Sequence, residues 1–407
     1  MKTLWAHPLG RLGLIVLLFW TSVALLADLI AGSWPVVARY AGRYYLPALE
    51  RYLVPLGWVR WPEELTMADG ESIAWEWALW PLVPYGPESM DFAHAFASPL
   101  SAQAELGLRR RHWLGTDQLG RDVLAAIVHG SRLSLAIGFL ATILAAVLGG
   151  VLGSVAGYWG DDRLRVRKGD LLVGLLWGAW LLWAFVVVRP HVSGWIWICA
   201  VFCWALSGIG VRFLLVRHLP WAAGPIRVPV DSLVLRLVEL ELSIPRLLLI
   251  LALLALLPAG VGTVIVVVAI VSWTAVARYL RAELLRVRAL PYIEAARSLG
   301  IPEFRILWRH ALPNALGPVL VVLAFGVANA VLLESALSFL GLGVPADMLT
   351  WGRLLAEGRM ALFAWWLTLL PGLSLFSLLL ACIFIGEAWR DQLDPRLREQ
   401  LISAEVG

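Results

Sequence analysis

Lysine is nearly absent from this 407-residue chain, occurring only at Lys2 and Lys168 among 33 basic residues. A Walker A phosphate loop ends in Gly-Lys-Ser/Thr, with the lysine reaching the outer phosphates of the nucleotide. Neither lysine stands in that setting (Met1-Lys2-Thr3, Arg167-Lys168-Gly169), so the chain cannot hydrolyse ATP with a P-loop of its own. Charge is scarce as well. Charged residues make up 15% of the chain against 60% hydrophobic, where soluble domains average about 25% charged. A soluble fold would have to hide more apolar side chain than a chain of this size can enclose, and disorder needs the opposite balance. What remains is an all-α polytopic membrane protein. Cys199, Cys203 and Cys382 all lie in apolar runs and read as small packing residues, without partners for a disulfide framework or a zinc site. The seven histidines include no HExxH or paired-ligand spacing, and no Gly-x-Ser-x-Gly elbow is present, so metal or nucleophilic catalysis has no support. No enzyme activity, catalytic residue, bound cofactor or nucleic-acid partner is expected.

A membrane crossing takes about 20 mostly apolar residues. Eight runs qualify: 13–30, 133–158, 171–188, 195–216, 243–258, 261–279, 316–333 and 363–389. The first is long for a signal-peptide core and more spans follow, so it reads as an uncleaved anchor. The run at 243–258 carries Pro245 and Arg246 near its start. An arginine at a helix centre costs about 2.5–3.5 kcal/mol, which places Arg246 at a membrane edge. With the N-terminus in the cytoplasm, the inside segments hold twenty Lys and Arg residues, and the short outside loops hold only Arg189, Arg353 and Arg359. The positive-inside rule therefore puts both termini in the cytoplasm. Two connections are long. The outer one, 31–132, is dense in Trp and Tyr and is expected to form a small extracytoplasmic subdomain. Its aromatics suit a membrane interface or a partner surface, and equally its own core.

The other long connection, 277–315, contains ALPYIEAARSLGIPEFRILWRHALPN at 289–314. Pro291 suits a first helical turn. Ile293, Ala296 and Leu299 then share a face, with Glu294 and Arg297 off it. Gly300 can end the helix in the left-handed conformation. Pro302 can start a second helix with Phe304, Leu307 and His310 or Ala311 on its apolar side, and Pro313 stops it. The expected product is two short amphipathic helices around a sharp corner at the membrane surface. Ala295 and Ala296 leave room for close approach, as in helix-in-groove docking. An ordinary interfacial helix is the other reading of these residues.

Glu294-Ala295-Ala296, Gly300 and Leu312-Pro313 resemble the EAA loop of permease subunits of bacterial ABC importers. Further segments resemble the C-type subunit of the dipeptide/oligopeptide/nickel branch. These are HWLGTDQLGRDV at 112–123, GSRLSL at 130–135, AGY at 156–158, ESALSFLGLG at 334–343, TWG at 350–352, WW at 365–366 and RDQLDPR at 390–396. The resemblance covers 112–166 and 231–398. It implies a six-span permease core that pairs with a homologous second permease subunit, couples to two cytoplasmic ATPase subunits that bind the ATP, and receives solute from an extracytoplasmic solute-binding protein. Membrane lipid and the bacterial inner membrane follow from the same reading. Glu294, Ala295, Ala296, Gly300, Leu312 and Pro313 become the ATPase-coupling residues, with flanking arginines facing lipid phosphates or acids on the ATPase.

The chain departs from the family in one large respect. The helix expected soon after Ala156-Gly157-Tyr158 arrives only at Asp231, Arg236 and Glu239, and the intervening segment holds two apolar runs. The expected organisation is an anchor helix (1–31), an outer loop subdomain (32–132), the first part of the core (133–166), an inserted membrane hairpin (167–230), the core with its coupling loop at 289–313 (231–398), and a tail (399–407). Asp28 is expected at the interface. Glu334 should line the path or cap a helix. Asp117, Arg121 and Asp122 read as an ion-paired cap ordering the outer loop. Gly149, Gly150 and Gly153 read as close helix packing. A secondary transporter is the alternative function, although mid-span charges of the kind that class uses are almost absent.

Overall fold

The computed structural model describes residues 7–393 apart from 68, 69, 71, 100, 102, 104, 105, 108, 188–199, 202, 205, 206, 209, 210, 212–223, 346 and 347. It is mostly helical. Among the described residues, five helices are long and apolar enough to cross a membrane.

The first, α1 (Pro8–Leu25), starts five residues before the expected span. Pro8 occupies its first turn and His7 accepts from the Gly10 amide at 3.4 Å. It ends at Leu26, and Ala27–Ile30 forms a separate turn of helix. Three short strands follow, β1 (Val37–Tyr40), β2 (Arg43–Tyr45) and β3 (Trp77–Leu79), in an antiparallel sheet of order β2-β1-β3. The outer stretch is thus folded.

Helix α2 (Val123–Trp159) has 37 residues, about 55 Å at 1.5 Å per residue. It begins ten residues before the apolar run at 133, because Asp122 caps it by accepting from the Ala125 amide at 2.8 Å. The charge that interrupts the apolar run is neutralised from afar. Arg132 pairs with Asp28 at 2.8 Å, and Arg51 pairs with the same carboxylate. Asp28 is therefore buried beneath two guanidinium groups.

After α2, strand β4 (Arg165–Arg167) leads into α3 (Lys168–Val187), an apolar helix of 20 residues that covers the first inserted run. Most of the second inserted run lies outside the described residues. Of what is described there, Trp204 stacks on Trp180 at 5.0 Å, and its carbonyl accepts from the Trp177 indole at 3.1 Å. Strand β5 (Pro225–Arg227) returns to pair with β4. Next comes α4 (Val230–Ser243), then α5 (Arg246–Leu256). The expected crossing at 243–258 is thus an eleven-residue helix, about 16 Å long and too short to span by itself. Pro245 separates it from α4, since proline supplies no amide and disfavours helical backbone before it.

Helices α6 (Val261–Ile270) and α7 (Trp273–Val287) form one apolar unit with a kink at Val271–Ser272. Helix α8 (Pro291–Ser298) is the short helix of the 289–313 loop. The chain then climbs from Glu303 into α9 (Leu312–Phe339), passes α10 (Trp351–Met360) and ends in α11 (Trp366–Leu393).

Helices α2 and α7 meet at backbone contact. A Cβ on Gly149, Gly153 or Gly157 would fall 2.4, 2.6 and 2.7 Å from the carbonyls of Trp273, Ala277 and Arg281 respectively. Both sets step by four, so a glycine stripe on one helix lies along a matching row on the other. This confirms the packing role of Gly149 and Gly153 and corrects that of Gly150, whose Cβ would meet nothing within 4 Å because it points away from α7. At the opposite end Glu334 is wholly buried, accepting from Ser338 at 2.7 Å and from the Ser134 and Ser335 hydroxyls. It neither caps a helix nor faces solvent.

Replacing Gly153 by Val should cost about 1–3 kcal/mol by overpacking and lower the thermal midpoint in detergent. Gly150→Val, whose Cβ meets nothing within 4 Å, should leave that midpoint nearly unchanged.

Candidate functional site: the 289–313 loop

The loop lies at the end of α2 opposite Asp122. Pro291 stands in the first turn of α8, and Gly300 follows with φ +72°, as the spacing predicts. Ile293 and Ala296 are buried. They join Tyr158, Leu280, Leu284, Val287, Ile306 and Leu307 in one apolar cluster, so three helices share a core with the loop. Glu294, Ala295 and Gly300 are exposed. The loop therefore has one face locked into the molecule and one face free.

Three expectations are corrected here. Leu299 does not share the buried face but is 80% exposed. Helix α8 ends at Ser298, and beyond that point 3.6-residue periodicity no longer sets side-chain direction. Nor does Pro313 stop a second short helix. The chain is helical from Glu303 through Phe339, with a π turn at Leu307–Ala311. That widening lets the Leu312 amide bond to the Leu307 carbonyl, while the carbonyl of His310 accepts from the Asn314 side chain at 2.6 Å. Proline's missing amide is absorbed and the helix continues. Leu307 and Ala311 are buried, as the apolar face requires, but Phe304 and Trp308 are exposed and packed on each other with centroids 6.0 Å apart. Leu312 is half-buried and Pro313 exposed.

Glu303 is the fastener. Its carboxylate accepts from the Tyr158 hydroxyl at the end of α2 and from Arg297 Nε at 2.8 Å. Arg297 also lies over the Tyr158 ring at 5.8 Å. Burial works against the Arg297 charge, yet Glu303 and Tyr158 outweigh it and raise the pKa. Arg297 is thus ion-paired within the chain. On the same side, Arg281 pairs with Asp231 through Nη2 at 2.7 Å, and Arg288 donates to the Tyr158 carbonyl at 3.3 Å. Among the other motif residues, Asp117, Arg121 and Glu357 form an ion-paired chain, and the Trp366 indole donates to the Thr116 carbonyl at 3.0 Å. These order the end of the molecule where α2 begins, as expected of Asp117 and Arg121.

A cavity of about 520 Å³ opens between α2, α4, α5, α7 and α9. Glu241, Arg246, Thr274, Arg278 and Asn329 converge on it, and Arg246 Nη2 donates to Ser272 Oγ at 3.0 Å. Sequence reasoning missed this set. Polar residues beside apolar runs were the available signal, but their convergence depends on helix rotation. Among the described residues no cluster of three or more His, Cys, Asp or Glu could hold a metal ion.

Residues 219–399 match the family described as the binding-protein-dependent transport system inner membrane component. A protein of Brucella suis biovar 1 named as a peptide permease is 30% identical over 323 residues, covering 78% of this chain and 80% of that protein. The chain belongs to this permease family. The oligopeptide transport system permease protein of Bacillus subtilis is 29% identical over 290 residues, covering 71% and 73%. An inner membrane ABC transporter permease protein of Escherichia coli is 29% identical over 398 residues, covering 95% and 93%. Both long connections therefore fall within the matched length of this last relative.

Glu303→Ala should free Arg297 and Tyr158 and loosen α8 from α2. Amide exchange across 291–300 should rise by about tenfold or more, the loss of roughly 1.5 kcal/mol of charge-assisted bonding, with exchange in α11 unchanged.

Proposed function

We propose that this chain is the membrane subunit of an ATP-driven importer for peptides or a related solute. It forms half of the translocation path beside a homologous second permease subunit, and two cytoplasmic ATPase subunits supply the ATP chemistry. An extracytoplasmic solute-binding protein delivers the solute to the end that carries residues 31–122. Family membership and the printed names of the relatives support this reading, and they do not favour the alternative of a secondary transporter. The absence of a P-loop lysine fits an ATPase on another chain. The distribution of Arg and Lys supports cytoplasmic termini and a coupling loop on the cytoplasmic side.

One observation carries the coupling role: α8 buries Ile293 and Ala296 in the core shared by α2, α7 and the Glu303–Phe339 helix while presenting Glu294, Ala295 and Leu299 outward. A partner that grips the outward face moves three helices through the inward one. Close approach over Ala295 suits a helix held in a groove of the ATPase. The cavity at Glu241 and Arg246 is the inner part of the path in this scheme, its polar groups offering partners to a zwitterionic solute.

Vesicles holding the complete transporter test the coupling role. Glu294→Leu or Gly300→Pro should cut ATP-driven peptide uptake at least about tenfold, a coupling loss of roughly 1.4 kcal/mol or more, while the protein still inserts and the ATPase still turns over. Unchanged uptake would remove the coupling role from α8.

A further inference from the structure

The β4–β5 ribbon opens and closes the inserted segment and takes no part in the coupling loop. Its register sets Arg165 opposite Arg227, Val166 opposite Ile226 and Arg167 opposite Pro225. Side chains alternate across a strand and directly opposed residues share a face. Arg165, Arg167 and Arg227 therefore project from one side of the ribbon, and Val166 and Ile226 from the other. All three arginines are exposed, as are the flanking Arg163 and Lys168. None of these five cations has an ion-pair partner among the described residues. Of the nearby acids, Asp161 is engaged by the Ser232 amide and hydroxyl at 2.9 and 2.6 Å, Asp162 is exposed, and Asp170 lies in the first turn of α3.

Like charges placed directly opposite destabilise a strand pair, so a three-residue ribbon with Arg165 against Arg227 is a costly arrangement unless an anion lies between them. The position of the ribbon selects the anion. Trp159 ends the membrane helix α2 six residues before β4, and α3 begins at the residue after it. Helix α3 carries Leu172, Leu175, Leu176 and Trp180 exposed along its length. The ribbon therefore sits where apolar helix gives way to headgroups, with two apolar side chains on one side and three guanidinium groups on the other. Guanidinium groups bind phosphate oxygens in a bidentate fork. Basic clusters at this depth attract anionic lipid.

We propose that the Arg165–Arg167–Arg227 face binds the phosphate of an anionic phospholipid and so fixes the base of the inserted hairpin to the leaflet. The full-length protein in neutral detergent, titrated with fluorescent phosphatidylglycerol and separately with fluorescent phosphatidylcholine, tests this. The wild type should prefer phosphatidylglycerol. Joint Arg165→Gln, Arg167→Gln and Arg227→Gln should weaken that binding at least about tenfold, from the loss of three near-surface charges, and the corresponding three lysine substitutions should retain most of it. Joint Arg43→Gln, Arg60→Gln and Arg236→Gln, an equal change of charge elsewhere, should leave it intact. Should the triple glutamine variant not fold, Arg227→Gln alone is read for a loss of about fivefold. Equal lipid affinity in wild type and variant overturns the proposal. So does displacement of the lipid by an equal concentration of inorganic phosphate, which would make this a free-phosphate site. Loss of the co-purifying ATPase with lipid binding intact would assign the face to a protein partner instead, and also overturns it.

Discussion

The contact of α2 with α7, backbone against backbone along Gly149, Gly153 and Gly157, is the constraint on which the rest depends. Lipid tails are as apolar as leucine, so two helices in a membrane gain little from hiding leucines from the bilayer and gain more from close packing. Removing three side chains from α2 brings the carbonyls of Trp273, Ala277 and Arg281 within van der Waals reach. That approach places Tyr158 and the end of α2 beside the end of α7. Only there can Arg288 reach the Tyr158 carbonyl and Glu303 reach both the Tyr158 hydroxyl and Arg297. The geometry of the 289–313 loop is thus a consequence of glycines more than a hundred residues away in the sequence.

Helix α8 has only eight residues, and isolated helices of that length are marginal in water. Its stability comes from Ile293 and Ala296 seated in the shared core and from the Arg297–Glu303–Tyr158 fastening. The same arrangement leaves Glu294, Ala295 and Leu299 exposed on the outward face. A rigid element with an unpartnered face transmits displacement to whatever lies beneath it, here the ends of α2 and α7 and the start of the Glu303–Phe339 helix. The π turn at Leu307–Ala311 belongs to this design. It lets Pro313 stand inside a continuous helix, so motion at the loop passes directly into a membrane helix with no break between them.

Much of this was legible in the sequence. Pro291, Gly300 and the pair Ile293/Ala296 follow from local rules on helix starts, left-handed stops and periodicity, and these rules act within a few residues. The Gly149–Gly153 spacing was equally plain. Other features depend on distant partners. The start of α2 at Val123 was hidden because Arg132 looked like the end of an apolar run until Asp28, 104 residues earlier, neutralised it. Leu299 followed the periodicity of a helix that had already ended. Pro313 read as a stop because the π turn that accommodates it carries no sequence mark. The run at 243–258 was apolar enough for a span, but Pro245 divides it from α4 and leaves eleven residues. The cavity at Glu241 and Arg246 required knowing how five helices turn toward one another.

In the proposed scheme a separate ATP-hydrolysing subunit holds the outward face of α8. Photo-cross-linking side chains placed singly at Glu294, Ala295, Leu299 and Ile293, in cells making the whole transporter, measure this directly. Adducts to a P-loop-containing subunit should form from 294, 295 and 299 and be absent from the buried position 293. An adduct pattern lacking that subunit at all three outward positions, or labelling of 294 by a reagent confined to the outside of the cell, would contradict the account.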